Sequence, residues 1–132
     1  MKEIIRDIAD FPKEGIIFKD ISPLLGNPVA FQKSINTLKD RYADKKVDAV
    51  VGVEARGFIF ASALAYAMGI GMVMVRKPGK LPYKTFKETY SLEYGTDTVE
   101  VHQDAFREGQ NILVIDDVLA TGGTLSATLD LI

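Results

Sequence analysis

Hydrophobic and polar positions along this chain fall into alternating helical and extended patterns. Ile4, Ile5 and Ile8 lie on one side of a helical projection and predict a short helix over Lys2 to Ile8. Phe11-Pro12-Lys13-Glu14-Gly15 breaks it, because proline and glycine both interrupt regular structure. The apolar stretch from Ile16 to Leu25 has neither helical nor strand periodicity and reads as a loop laid across the core or the active site. Asn27-Pro28 then offers a capping side chain followed by a residue whose fixed φ suits a first helical turn. Phe31, Ile35, Leu38 and Tyr42 recur at helical spacing, so this helix runs to about Tyr42 with one buried face.

Val47 to Val53 is the first strong strand, and it ends in the loop Glu54-Ala55-Arg56-Gly57. An alanine-rich helix over Phe58 to Met68 follows, closed by Gly69 at the position glycine favours after a last helical turn. Gly71 to Val75 is a second strand, and Arg76-Lys77-Pro78-Gly79-Lys80-Leu81-Pro82 opens a long loop. Tyr90 to Tyr94 and Thr98 to His102 read as a hairpin joined by Gly95-Thr96-Asp97, and a short turn covers Asp104 to Gly109. Asn111 to Ile115 is a strand expected to be buried on both faces, and a helix begins at about Thr124. Strand, helix, strand, hairpin, strand and helix predict an α/β domain with a mainly parallel sheet flanked by helices. The last helix has room for about two turns before Ile132.

The end of the third strand carries the most distinctive chemistry. Asp116-Asp117-Val118-Leu119-Ala120-Thr121-Gly122-Gly123-Thr124 joins an acidic pair to a small-residue loop at the carboxyl end of a strand, where open α/β sheets bind ligands. Backbone N–H groups, two hydroxyls and a helix amino terminus suit a phosphate, whereas the two carboxylates repel one. A ligand with a phosphate at one end and hydroxyls or a cation nearby satisfies both halves, and ribose 5-phosphate fits. An ordinary strand-to-helix turn with solvated acids is the alternative. Arg56 after the first strand and Arg76, Lys77 and Lys80 after the second should converge on the same edge, a setting for a second polyanion such as diphosphate. Lys77 alone also reads as a solvated surface lysine. Phosphate, diol and diphosphate together describe 5-phosphoribosyl 1-diphosphate.

Composition removes several classes. At 132 residues with 47% hydrophobic and 26% charged positions, the chain suits one globular domain with a real core. Sixteen basic against 18 acidic side chains give a net charge of -2, so nothing global points to nucleic acid. Cysteine is absent, which excludes disulfides and thiolate chemistry and suits the cytoplasm. No signal peptide or membrane-length apolar run is present. No G-x-x-x-x-G-K-[ST] motif occurs, and His102, the single histidine, lies mid-strand and reads as structural.

Val114-Ile115-Asp116-Asp117-Val118-Leu119-Ala120-Thr121-Gly122-Gly123-Thr124 resembles the signature of the type I phosphoribosyltransferases. Gly15 to Pro23, Glu54 to Phe58, Arg76 to Pro82 and Tyr90 to Gly95 further resemble, in the same order, the adenine phosphoribosyltransferases within that family. The resemblance implies that family's fold with a hairpin hood, and transfer of a phosphoribosyl group to adenine with release of AMP and diphosphate. It implies that Asp116 and Asp117 meet the ribose hydroxyls and that Ala120, Thr121, Gly122, Gly123 and Thr124 cradle the 5-phosphate. Arg56, Arg76, Lys77 and Lys80 would face the diphosphate, with magnesium held through substrate and water rather than a protein cage. Ile17 and Lys19 would contact adenine largely through backbone groups, with Phe18 nearby. Glu93 and Arg56 would take the catalytic roles, Glu93 managing a purine proton or else facing solvent, and Tyr94 would belong to the closing loop. The Glu54-Ala55 bond is cis in similar enzymes. Lys19 stands where the family usually has arginine, and family members continue past the final helix with at least another strand and helix, so the domain reads as shortened. A homodimer is implied as well. Transfer to xanthine, hypoxanthine or guanine, or a non-catalytic regulator that binds phosphoribosyl diphosphate, are the alternatives.

Overall fold

Val50 and Val51 are both fully buried, yet they face opposite layers, because successive side chains of a strand point to opposite sides of its sheet. In the computed structural model, which describes residues 4–11, 14–15, 17–92, 95–116, 128–130 and 132 and excludes the side chains of Phe18 and Leu92, they lie in the central strand. The elements in order are β1 (Arg6–Ala9), β2 (Ile17–Asp20), α1 (Ser22–Leu25), α2 (Pro28–Arg41), β3 (Ala49–Val53), α3 (Arg56–Met68), β4 (Gly71–Val75), β5 (Thr85–Leu92), β6 (Gly95–His102) and β7 (Ile112–Ile115). β4, β3 and β7 form a parallel sheet in that order, with Val53 opposite Val75 and Gly52 opposite Ile115. The expected α/β architecture with a parallel sheet is what the chain forms.

One face of this sheet packs on the β5–β6 ribbon, through Val51, Val53 and Val75 against Val99 and Val101. The other packs on α3, through Val50 against Ala61 and Ala65. Each valine taken fully out of water contributes roughly 1.5–3 kcal/mol, so these two small clusters account for much of the favourable burial. The helix comes very close. A Cβ on Gly52 would stand 2.7 Å from the Ala61 Cβ and 3.0 Å from the Gly57 carbonyl, so only glycine fits under α3 at that point. α2 starts as expected: the Asn27 side chain accepts the Ala30 N–H at 3.1 Å, Pro28 follows, and Tyr42 closes the helix. α3 ends at Gly69 with φ 70°, the left-handed conformation expected of it.

Four expectations change. The predicted helix over Lys2 to Ile8 gives way to β1, which pairs antiparallel with β2. Opposed charges across that pair, Arg6 with Asp20 and Asp7 with Lys19, override the helical spacing of the isoleucines. The expected loop over Ile16 to Leu25 contains β2 and α1, joined where Asp20 accepts the Ser22 N–H at 2.9 Å. The hairpin strands are longer than predicted, and Gly95, Thr96 and Asp97 lie in β6, opposite Leu92, Ser91 and Tyr90, rather than in the turn. β7 is half-buried rather than buried on both faces, because among the described residues it pairs only with β3.

Candidate active site

Parallel strands in register deliver their following residues to one edge. Glu54 follows β3, Arg76 follows β4 and Asp116 follows β7, so two acids and a base meet at the carboxyl end of the sheet. The peptide bond between Glu54 and Ala55 is cis, as the resemblance implied. α3 then starts at Arg56, two residues before the predicted boundary, which puts Arg56 in a first helical turn rather than in a loop. That turn lies against β7: a Cβ on buried Gly57 would meet the Ile115 carbonyl at 3.0 Å and the Asp116 carboxylate at 3.4 Å.

Arg76 is fixed on three sides. Its Nε donates to Glu54 Oε1 at 2.8 Å, its guanidinium lies 5.8 Å from the centre of the Phe58 ring, and its backbone exchanges hydrogen bonds with Glu100. An arginine held this way keeps its charge and loses little rotamer freedom when a ligand arrives. Lys77 is partly exposed, but its ammonium is paired rather than left to solvent. Its ammonium donates to Asp97 Oδ2 and, at 3.3 Å, to the Tyr90 hydroxyl, which itself donates to Asp97 at 3.2 Å. Burial is the strongest single influence on Lys77 and pulls its pKa down, but the bonds to Asp97 and Tyr90 together outweigh it and raise the value. Asp97 is correspondingly lowered, first by the Lys77 hydrogen bond. Lys80 is exposed at the end of a turn in which its N–H donates to the Lys77 carbonyl at 3.3 Å and Gly79 has φ 80°.

The base-contact candidates lie on the β1–β2 pair. Ile17 is 63% exposed, and the Lys19 ammonium is 2.6 Å from Asp7 on the neighbouring strand, so the Lys19 side chain already has a partner. Asp20, at the end of β2, has its pKa lowered chiefly by hydrogen bonds from Ser22, with Arg6 and Arg56 adding to the shift. Arg56 is therefore within electrostatic reach of the segment that carries Ile17 and Lys19. The structure thus places Arg76, Lys77, Lys80 and Asp116 around the carboxyl edge, with Arg56 in the first turn of α3 just past β3. Asp117, Ala120, Thr121, Gly122, Gly123, Thr124, Glu93, Tyr94 and the Phe18 side chain lie outside the described residues.

Three supporting acids escaped the sequence reading: Glu54, Asp97 and Glu100. Only Glu100 had a visible signal, a charge between Val99 and Val101 in an otherwise apolar run. His102 stands apart from the site and accepts the Tyr83 N–H at 3.3 Å. Among the described residues no three His, Cys, Asp or Glu side chains gather as a metal-binding group, and no helix is long and apolar enough to cross a membrane.

Comparison with known proteins agrees with this geometry. The family model "Phosphoribosyl transferase domain" matches residues 21–132. An adenine phosphoribosyltransferase of Geotalea daltonii is 61% identical over all 132 residues, which span 77% of its length. The crystal structure of adenine phosphoribosyltransferase from Thermoanaerobacter pseudethanolicus superposes with a TM-score of 0.95 at 52% identity, covering 98% of this chain and 76% of that one. The Saccharomyces cerevisiae enzyme, complexed with an imino-altritol bisphosphate and adenine, gives a TM-score of 0.92 at 43% identity, covering 98% of this chain and 76% of that one. A family match over most of the chain, a relative 61% identical over all 132 residues and a shared fold lead to one conclusion: the chain belongs to the phosphoribosyltransferase family.

Proposed function

We propose that this chain transfers the 5-phosphoribosyl group of 5-phosphoribosyl 1-diphosphate to adenine, giving AMP and diphosphate in purine salvage. The observation that carries the reading is the preset cation Arg76, clamped by Glu54 at the strand edge that also bears Lys77, Lys80 and Asp116. Its relatives' name as adenine phosphoribosyltransferases points to the base.

In this reading Arg56, Arg76, Lys77 and Lys80 hold the diphosphate, and charge that builds on the leaving oxygens meets guanidinium and ammonium groups already in position. Asp116 and Asp117 accept from the ribose hydroxyls, and residues 120–124 bind the 5-phosphate. Magnesium would be held through substrate and water rather than by a protein cage, and would supply charge neutralisation for the leaving group. Backbone groups of Ile17 and Lys19 orient adenine for in-line attack, with Phe18 beside them. Glu93 manages the purine proton and Tyr94 belongs to the segment that closes over the substrates, keeping water from competing as nucleophile. The reading extends to a cytoplasmic homodimer. The lack of cysteine suits a reducing compartment, and Ile59 and Tyr66, seven residues apart on α3 and exposed, offer one apolar stripe to a second copy.

Incubation with adenine, 5-phosphoribosyl 1-diphosphate and magnesium should consume adenine and release AMP, with chelation stopping the reaction. No turnover of adenine, guanine, hypoxanthine or xanthine would remove the enzyme assignment, and turnover of another purine alone would change the base.

A further inference from the structure

Glu100 is only 5% exposed and lies between Val99 and Val101, both in the core. A carboxylate at that depth is costly unless hydrogen-bonded, and its partners come from the segment that runs from Arg76, just past β4, to Thr85, the first residue of β5. Its main chain exchanges two hydrogen bonds with Arg76, its N–H donating at 2.8 Å and its carbonyl accepting at 3.0 Å. Oε1 accepts the Gly79 N–H at 3.2 Å, and Oε2 accepts the Thr85 hydroxyl at 3.3 Å. The connection between β4 and β5 is thus tied at its start, its turn and its end to a single residue. Gly79, in its left-handed conformation, stands between Lys77 and Lys80, so the bond from Oε1 fixes the turn that sets both lysines.

We propose that Glu100 is a positioning residue for the diphosphate site, fixing the Arg76–Lys80 segment through Gly79 and Thr85 without touching the ligand. The proposal rests on the reading that this segment meets the diphosphate. Its benefit is preorganisation: a loop tied down beforehand loses less freedom when a polyanion binds. Charge is secondary to bonding here, because an amide at position 100 can still accept from Gly79 and donate to the Thr85 oxygen.

Three variants separate the possibilities: Glu100→Gln keeps both bonds, Thr85→Val removes one, and Glu100→Ala removes both. Each is measured for kcat, for KM of both substrates and for the Kd of magnesium diphosphate by calorimetry. Glu100→Ala should raise the 5-phosphoribosyl 1-diphosphate KM and the diphosphate Kd about tenfold, since the Gly79 N–H and the Thr85 hydroxyl both lose the acceptor that holds the turn. Thr85→Val should raise both about threefold, and Glu100→Gln should stay within about twofold of the parent, with the adenine KM steady throughout. Thr85→Val, nearly isosteric, carries the test if Glu100→Ala does not fold. Diphosphate Kd and KM within about twofold of the parent in Thr85→Val and in any folded Glu100→Ala would overturn the proposal, as would an equal rise in the adenine KM. A parent that binds magnesium diphosphate without turning over adenine removes the proposed function and leaves this inference to be decided by Kd. A parent that does neither overturns both.

Discussion

Arg76 and Glu54 are joined by a 2.8 Å ion pair that links the ends of two adjacent parallel strands. The side chains are 31% and 19% exposed, so the pair is partly shielded and fixes the guanidinium more firmly than a surface pair would. Replacing Arg76 with lysine keeps the charge but loses the planar fork and its contact with Phe58. The KM for 5-phosphoribosyl 1-diphosphate should rise about tenfold while that for adenine stays within about twofold, as read from initial rates with each substrate varied. Equal changes in both would dissociate Arg76 from the diphosphate.

Asp116 and Asp117 are assigned to the ribose hydroxyls. Asparagine at both positions removes two charged acceptors, and sugar phosphate affinity should fall about tenfold or more in titration calorimetry. Unchanged affinity would withdraw the ribose assignment.

The Lys77–Asp97 pair makes a pH-dependent contribution to stability. Asp97 is held below its ordinary value of 3.8, so its contribution is present above about pH 4 and is lost as pH falls through the lowered value. Lys77 is held above its ordinary 10.5, so its contribution is present below that value and is lost as pH rises through the raised one. With side chains 38% and 30% exposed, solvent screening keeps the pair to about 1 kcal/mol or less. Urea unfolding of Asp97→Asn should therefore show a small deficit at pH 7 that shrinks as pH falls below 3.8. A deficit that does not shrink as the pH is lowered from there would mean the substitution acts through packing instead.

Gly52 has no room for a side chain. Alanine there meets the Ala61 Cβ at 2.7 Å and the Gly57 carbonyl at 3.0 Å, and the second contact is with backbone that cannot rotate away. The expected loss is about 1–3 kcal/mol in urea unfolding. Because α3 would be pushed outward at the turn that carries Arg56, activity should fall as well. An alanine variant as stable as the parent would show that α3 is not seated as described.

Much of the framework could be read from local signals. Asn27-Pro28 marked the start of α2, Gly69 its counterpart at the end of α3, and the valine runs marked β3 and β4, because each signal depends on neighbours in sequence. What escaped depends on distance. β1 looks helical until β2 arrives from across a turn, and Gly95-Thr96-Asp97 looks like a turn by composition until Tyr90 pairs with Asp97. In the site, the basic residues announced themselves by their place after strands. Of their supports only Glu100 gave a local sign, a charge among valines, and none showed its partner: Glu54 reaches Arg76, Asp97 reaches Lys77 and Glu100 reaches Gly79 across 22, 20 and 21 residues, separations at which no periodicity speaks.

The small β1–β2 pair has one further property. Arg6 faces Asp20 and Asp7 faces Lys19, so polarity reverses from one rung to the next. Sliding either strand by one residue would set Arg6 against Lys19 or Asp7 against Asp20, like against like. The two rungs thus behave as a key that turns in only one position. Exposed Ile17, one of the residues assigned to the base, is displayed at a fixed point of the surface by charges that never touch it.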